Sequence, residues 1–145
     1  MAYSTESELE TLIGHDALVE LSDLDNTAGI DSTRVAAAIQ KADGVIDSYI
    51  NKRYAVPLAS PPDSIKTLSA EWAIRVLRTR RYKGQPITED QDAEKIDREW
   101  LDGVAKGRIS LGVEPQPTKS SLIVDKAAPR DSTLAISMER MKGFI

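Results

Sequence analysis

The sequence predicts an all-α protein: a single bundle of about five helices, two short ones at the N-terminus and three longer ones, followed by an extended C-terminal arm. Three observations predict it. Charged residues make up 29% of the chain and aromatic residues only 5%, a balance that favours helix over sheet. Apolar residues recur at spacings of three and four rather than alternately. Capping residues, prolines and glycines bracket the periodic stretches. With 145 residues, 41% of them apolar, the chain can bury one core, whereas two separate domains would each be marginal.

The first element starts at a Thr-x-x-Glu capping box, Thr5 to Glu8, and carries Leu9, Leu12 and Ile13 on one face until Gly14 stops it. His15 to Ser22 reads as a second short helix with Leu18 and Leu21 inward. Asp31 or Ser32 then caps a long third helix, whose stripe is Val35, Ile39, Ala42, Ile46, Tyr49 and Ile50. The prolines of 53–62 force an extended connector, because proline lacks an N–H donor and pushes its predecessor out of the helical region.

Ser60 is expected to cap a fourth helix that begins with Pro61 and Pro62 and carries Ile65, Leu68, Trp72, Ile74, Val76 and Leu77. Its apolar residues cover more than one stripe, which places it centrally. Arg80, Arg81 and Lys83 follow at its C-terminal end, where cations offset the negative end of the helix dipole. A second capping box, Thr88 to Gln91, opens a fifth helix lined by Ala93, Ile96, Trp100 and Val104 and closed by Gly107. The predicted core therefore includes Leu12, Val35, Ile39, Ile46, Leu68, Trp72, Val76, Ile96 and Trp100. Residues 1–112 form the helical domain; residues 113–145, with Pro115, Pro117 and Pro129 and no sustained periodicity, form the arm. Its tip, Met138, Met141, Phe144 and Ile145, is apolar enough to require a partner surface.

Composition removes several chemistries. There is no cysteine, so thiol nucleophiles, disulfides and Cys-ligated metals are excluded. No apolar run approaches the roughly 20 residues that span a bilayer, and no leader precedes the first helix, so no membrane role and a cytosolic site of synthesis are expected. His15, the one histidine, lies between two acidic helices without a nucleophile signature nearby, and reads as an exposed turn residue. Phosphate-cradling glycine loops are absent. No catalytic residues, cofactors or metals are expected, and the chain does not read as an enzyme.

Two features invite sharper readings. The run Asp23-Leu24-Asp25-Asn26-Thr27-Ala28-Gly29-Ile30-Asp31 resembles the start of an EF-hand calcium loop. However, its glycine is one place late and Arg34 stands where the bidentate glutamate belongs, so a turn followed by an N-cap is the simpler account. A calcium-binding helical module remains one alternative function. The stretch Arg75, Arg78, Arg80, Arg81 and Lys83 suggests another, a helical DNA-binding regulator. Against it, Trp72, Ile74, Val76 and Leu77 interleave with the cations and must face protein, and a net charge of −4 disfavours avid binding to phosphates. Residues 1–33 carry eight carboxylates and no Lys or Arg, so an acidic end and a basic stripe coexist in one molecule. They are either solvated faces or complementary subunit surfaces, with Arg78 and Arg81 as candidate contacts.

Four stretches resemble the Mu-like phage head–tail joining, or neck, protein family. They are Tyr3-x-x-x-x-Glu8-Leu9, then Tyr49-x-x-x-Arg53-Tyr54-Ala55-Val56-Pro57-Leu58, then Ala105-Lys106-Gly107-Arg108-Ile109-Ser110-Leu111-Gly112, and the closing Ser137-Met138-x-x-Met141-Lys142-Gly143-Phe144. The similarity runs over nearly the whole chain and lies in order and spacing. It implies a structural head–tail adaptor, similar in plan to helical proteins that form a ring of about twelve subunits. It further implies a portal protein on one side, a stopper or tail protein on the other, and DNA passing through without specific binding. The place implied is the virion neck, reached from the host cytoplasm during assembly. In the second stretch Arg53, Tyr54, Pro57 and Leu58 either pack the connector onto the bundle or meet a neighbouring subunit; in the third, Ile109 and Leu111 predict a short strand or hook after Gly107.

Overall fold

The computed structural model describes residues 2–85 and 87–116. Among them are five helices and no strand: α1 (Glu6–Ile13), α2 (His15–Ser22), α3 (Ser32–Ile50), α4 (Asp63–Arg81) and α5 (Thr88–Ala105). The protein is therefore all-α, with two short and three long helices. The arm beyond residue 116, and with it Met138, Met141, Phe144 and Ile145, lies outside the described residues.

The antiparallel pair α3 and α4 makes the centre, and the other helices pack around it. In α3 the predicted stripe is buried at Val35, Ile39, Ala42, Ile46 and Ile50, with Tyr49 half-buried. In α4 the buried set runs through Ile65, Leu68, Trp72, Ala73, Ile74, Val76 and Leu77, more than half of the circumference, as its breadth of apolar residues requires. Leu9 of α1 and Leu18 and Leu21 of α2 close one side; Leu101 and Val104 of α5 close the other.

Several helix ends form as expected. Thr5 accepts from the N–H of Glu8 and the Glu8 carboxylate reaches back to the N–H of Thr5, a complete capping box. Asp31, not Ser32, caps α3 by accepting from the N–H of Arg34 at 3.1 Å. After α5 the chain turns through Gly107, whose φ of +78° suits glycine, and the N–H groups of Arg108 and Ile109 both return to the Gly103 carbonyl.

Four expectations need correction. Ser60 does not cap α4: Pro62 occupies the cap with extended backbone, and the helix begins at Asp63. Pro62 disfavours helical geometry in Pro61, so the helix cannot start before it. Thr88 does not cap α5 either; Ile87 holds that position without a side-chain cap, and the first-turn carboxylate Asp90 turns to Arg78 instead. Leu12, placed in the core by periodicity, is 50% exposed, because the two-turn α1 buries Leu9 and is too short to bring a full stripe against α4. Ile96 is 66% exposed. The expected face of α5 holds in part, since Val104 is buried and Trp100 half-buried against the core, but the inward side is turned away from Ile96. The turn brings Leu101 into the core and sets Asp90 and Asp97 against Arg78 and Arg75 of α4.

Candidate functional site

The two matched motifs in the middle and at the end of the helical region meet in space. Leaving α3, the backbone N–H groups of Arg53 and Tyr54 still bond to the Ile50 carbonyl, so the connector departs in a fixed direction. Tyr54 is buried, and its hydroxyl accepts from the N–H of Leu111 in the segment after α5. The Arg53 guanidinium lies directly over Gly107: a Cβ there would fall 1.7 Å from Nη1. Thus Gly107 is required twice, by its backbone angle and by the side chain crossing it. Ile109 folds back over Gly103, where a Cβ would meet its Cδ1 at 2.8 Å, and Leu111 is buried beyond it. The segment 107–113 is therefore a hook and not a strand.

The N-terminal segment locks the same connector from the other side. The Tyr3 hydroxyl accepts from the N–H of Leu58 at 3.0 Å and donates to Asp47 Oδ1 at 2.5 Å. Its backbone N–H donates to Asp43 Oδ2 at 3.0 Å. Asp43 also accepts from Ser69 of α4, and since that hydroxyl has one proton to give, the Ser4 hydroxyl donates to it in turn. Burial pushes the Asp43 carboxyl above the ordinary carboxylate range, against the pull of its Ser69 and Tyr3 hydrogen bonds. Burial and the Asp47 hydrogen bond likewise push the Tyr3 phenol up. One buried polar network thereby ties N-terminus, α3, α4 and connector together. Its hint in the sequence is Asp43, a carboxylate set inside the stripe between Ile39 and Ile46.

The N-terminal part of the basic stripe is spent within the chain, while Arg80, Arg81 and Lys83 stay exposed. Arg75 pairs with Asp97, and Arg78 reaches Asp90 at 2.6 Å. The Arg75 and Arg98 guanidiniums both lie over the Trp72 ring system, at 5.1 and 5.2 Å from its centroid. Of the residues assigned to a subunit contact, Tyr54 and Leu58 are buried within the chain and Arg53 is half-buried. Arg78 is engaged by Asp90, while Pro57 and Arg81 are exposed.

The acidic loop is committed too. Asp23 accepts from the N–H groups of Thr27 and Ala28 and from the Thr27 hydroxyl. These donors, Thr27 foremost, hold its carboxyl below the usual range. Asp25 pairs with Arg34, the residue standing where calcium would need a glutamate. Among the described residues no three His, Cys, Asp or Glu side chains gather as a metal site. His15 is exposed, with Nδ1 3.0 Å from Glu10 Oε1. No described helix is long and apolar enough to cross a membrane.

Residues 3–124 match the protein family described as Bacteriophage Mu, Gp36. The chain is also similar to the Mu-like prophage FluMu protein gp36 of Haemophilus influenzae, with 32% identity over 96 residues. That stretch covers 66% of this chain and 65% of the relative, slightly less than two thirds of the relative's length.

Proposed function

The chain belongs to the bacteriophage Mu Gp36 family, and on that premise we propose that it is a structural head–tail adaptor, not an enzyme. In this reading its copies form a ring below the portal, a stopper or tail protein docks beneath, and DNA passes through the lumen without specific binding. The protein then resides in the virion neck. The observation that carries the reading is the convergence of the connector and the hook, through Arg53 on Gly107 and Tyr54 on Leu111. This joint holds the segment that precedes residues 113–145, the proposed docking arm. The arm tip, Met138, Met141, Phe144 and Ile145, would bury against the portal or a neighbouring subunit. Engagement of Arg75, Arg78 and Arg98 by Asp97, Asp90 and Glu94 supports a protein that does not grip nucleic acid.

A conditional knockout of the gene tests the function. Filled heads and free tails should accumulate unjoined, and added full-length protein should join them. Infectious particles that lack the protein would overturn the proposal. Truncation after Gly112 tests the arm, with a helical protein expected that no longer joins heads to tails.

A further inference from the structure

Two surfaces at opposite ends of α4 are left without partners, and they are opposite in character. Beside the start of α4, Ile96 and Trp100 of α5 stand over Thr67 and Leu68 around a hollow of about 450 Å³. Exposed carboxylates flank it at Asp63 and Glu71, and Glu71 has no cation partner among the described residues. On the other flank of α4 the exposed Leu12 lines a second hollow of about 330 Å³ that shares Asp63 and Thr67 with the first. This is an apolar, acid-rimmed face carrying both residues whose periodicity placed them in a core.

The far end of α4 has the opposite make-up. Tyr82 is 49% exposed and Ile87 40%, and Arg80, Arg81 and Lys83, their neighbours in the sequence, are exposed with no carboxylate partner among the described residues. An exposed aromatic residue next in sequence to exposed cations stands at one end, and an apolar hollow flanked by carboxylates at the other.

We propose that the Tyr82 knob of one copy seats in the Ile96–Trp100 hollow of the next, so that the partner of this face is a second copy of the chain. Charge and shape are complementary within one sequence, which favours a copy over an unrelated protein. A chain cannot satisfy itself, because Glu71 and Tyr82 are separated by about 16 Å along the helix axis at 1.5 Å per residue. The contact joins two different patches, so it propagates from copy to copy and closes into a ring when the rotation allows. This inference rests on the ring reading above and identifies its interface.

The absence of native cysteine makes crosslinking unambiguous. In full-length protein carrying both Tyr82→Cys and Ile96→Cys, oxidation should yield a ladder of linked oligomers in concentrated protein or in phage particles. Within one chain these positions are too far apart to bridge, since a disulfide needs Cα atoms within about 7 Å. Either substitution alone should give no ladder. As a second readout, Glu71→Arg and Arg81→Glu should each weaken self-association about tenfold, and the two together in one chain should recover most of it. No ladder in either preparation from a normally helical double variant would overturn the proposal. So would dimers from Ile96→Cys alone, or an adduct between the thiol introduced at position 96 and another particle protein. Shielding of that thiol by the chain's own residues 117–145, shown by its faster alkylation on truncation, would overturn it as well. Each of these outcomes leaves the adaptor function standing if the knockout still separates heads from tails, and absence of the protein from particles would remove the function independently.

Discussion

Replacing Gly107 by Ala should destabilise the protein through two separable effects, and a double-mutant cycle with Arg53 distinguishes them. Residue 107 has φ of +78°, a left-handed conformation that costs an alanine about 1–2 kcal/mol. In addition the new methyl would lie 1.7 Å from Arg53 Nη1 and 2.9 Å from Cζ, so the guanidinium must leave its place over the hook. Arg53→Ala removes the obstacle without changing the backbone. Gly107→Ala should therefore cost only the backbone part in the Arg53→Ala background, and that part plus about 0.5–3 kcal/mol of coupling in the wild type. Urea unfolding followed by circular dichroism reads both; with a slope of about 1–3 kcal/mol/M, the backbone part alone shifts the midpoint by roughly 0.3–2 M. Equal losses in the two backgrounds would show that Arg53 does not rest on Gly107, and the connector–hook joint would fall with it.

Other perturbations follow from the same geometry. Trp72→Ala should cost about 3–5 kcal/mol in chemical denaturation, since the ring is only 4% exposed and two guanidinium groups lie against it. Ile96→Lys should change monomer stability by less than about 0.5 kcal/mol, and a loss of about 2 kcal/mol or more would return Ile96 to the core. Melting temperature against pH should separate two carboxylates of opposite sign. Asp43 binds its proton more tightly in the folded state, so its contribution rises as pH falls from its raised folded value to the ordinary carboxylate value, and is constant below that. Asp23 binds its proton less tightly when folded, so its contribution is present above the ordinary value and lost as pH falls through its folded value. Asp43→Asn should abolish the mild-acid rise and keep the loss at lower pH, and a variant with the wild-type slope throughout would contradict the buried network.

Local rules were enough for the parts of this protein that depend on neighbours in sequence. The five helices, the capping box at Thr5, a cap at Asp31 or Ser32, the stripe on α3 and the turn at Gly107 could all be read from spacing, because helix periodicity and cap chemistry act within a few residues. Kinship with Mu-like phage proteins was legible as well, in motifs whose residues turn out to touch.

What periodicity could not decide was which of several satisfactory faces each helix turns inward. On α5 the stripe Ala93, Ile96, Trp100 and Val104 competes with a face that shares Val104 but turns Asp90, Asp97 and Leu101 inward, and local hydrophobicity favours the first. Tertiary structure chooses the second because α4 already buries Arg75, and a buried guanidinium left without a carboxylate costs more than leaving one isoleucine in water. For the same reason Arg75 and Arg78 of the basic stripe are taken up by α5, and the surfaces left for a partner are those at Ile96 and at Tyr82 with Arg80, Arg81 and Lys83. The sequence determined the helices, their ends and the amphipathic choices open to them. Only the tertiary structure decided the choice among those faces, because the desolvation of a charge depends on what the far side of the fold brings to it.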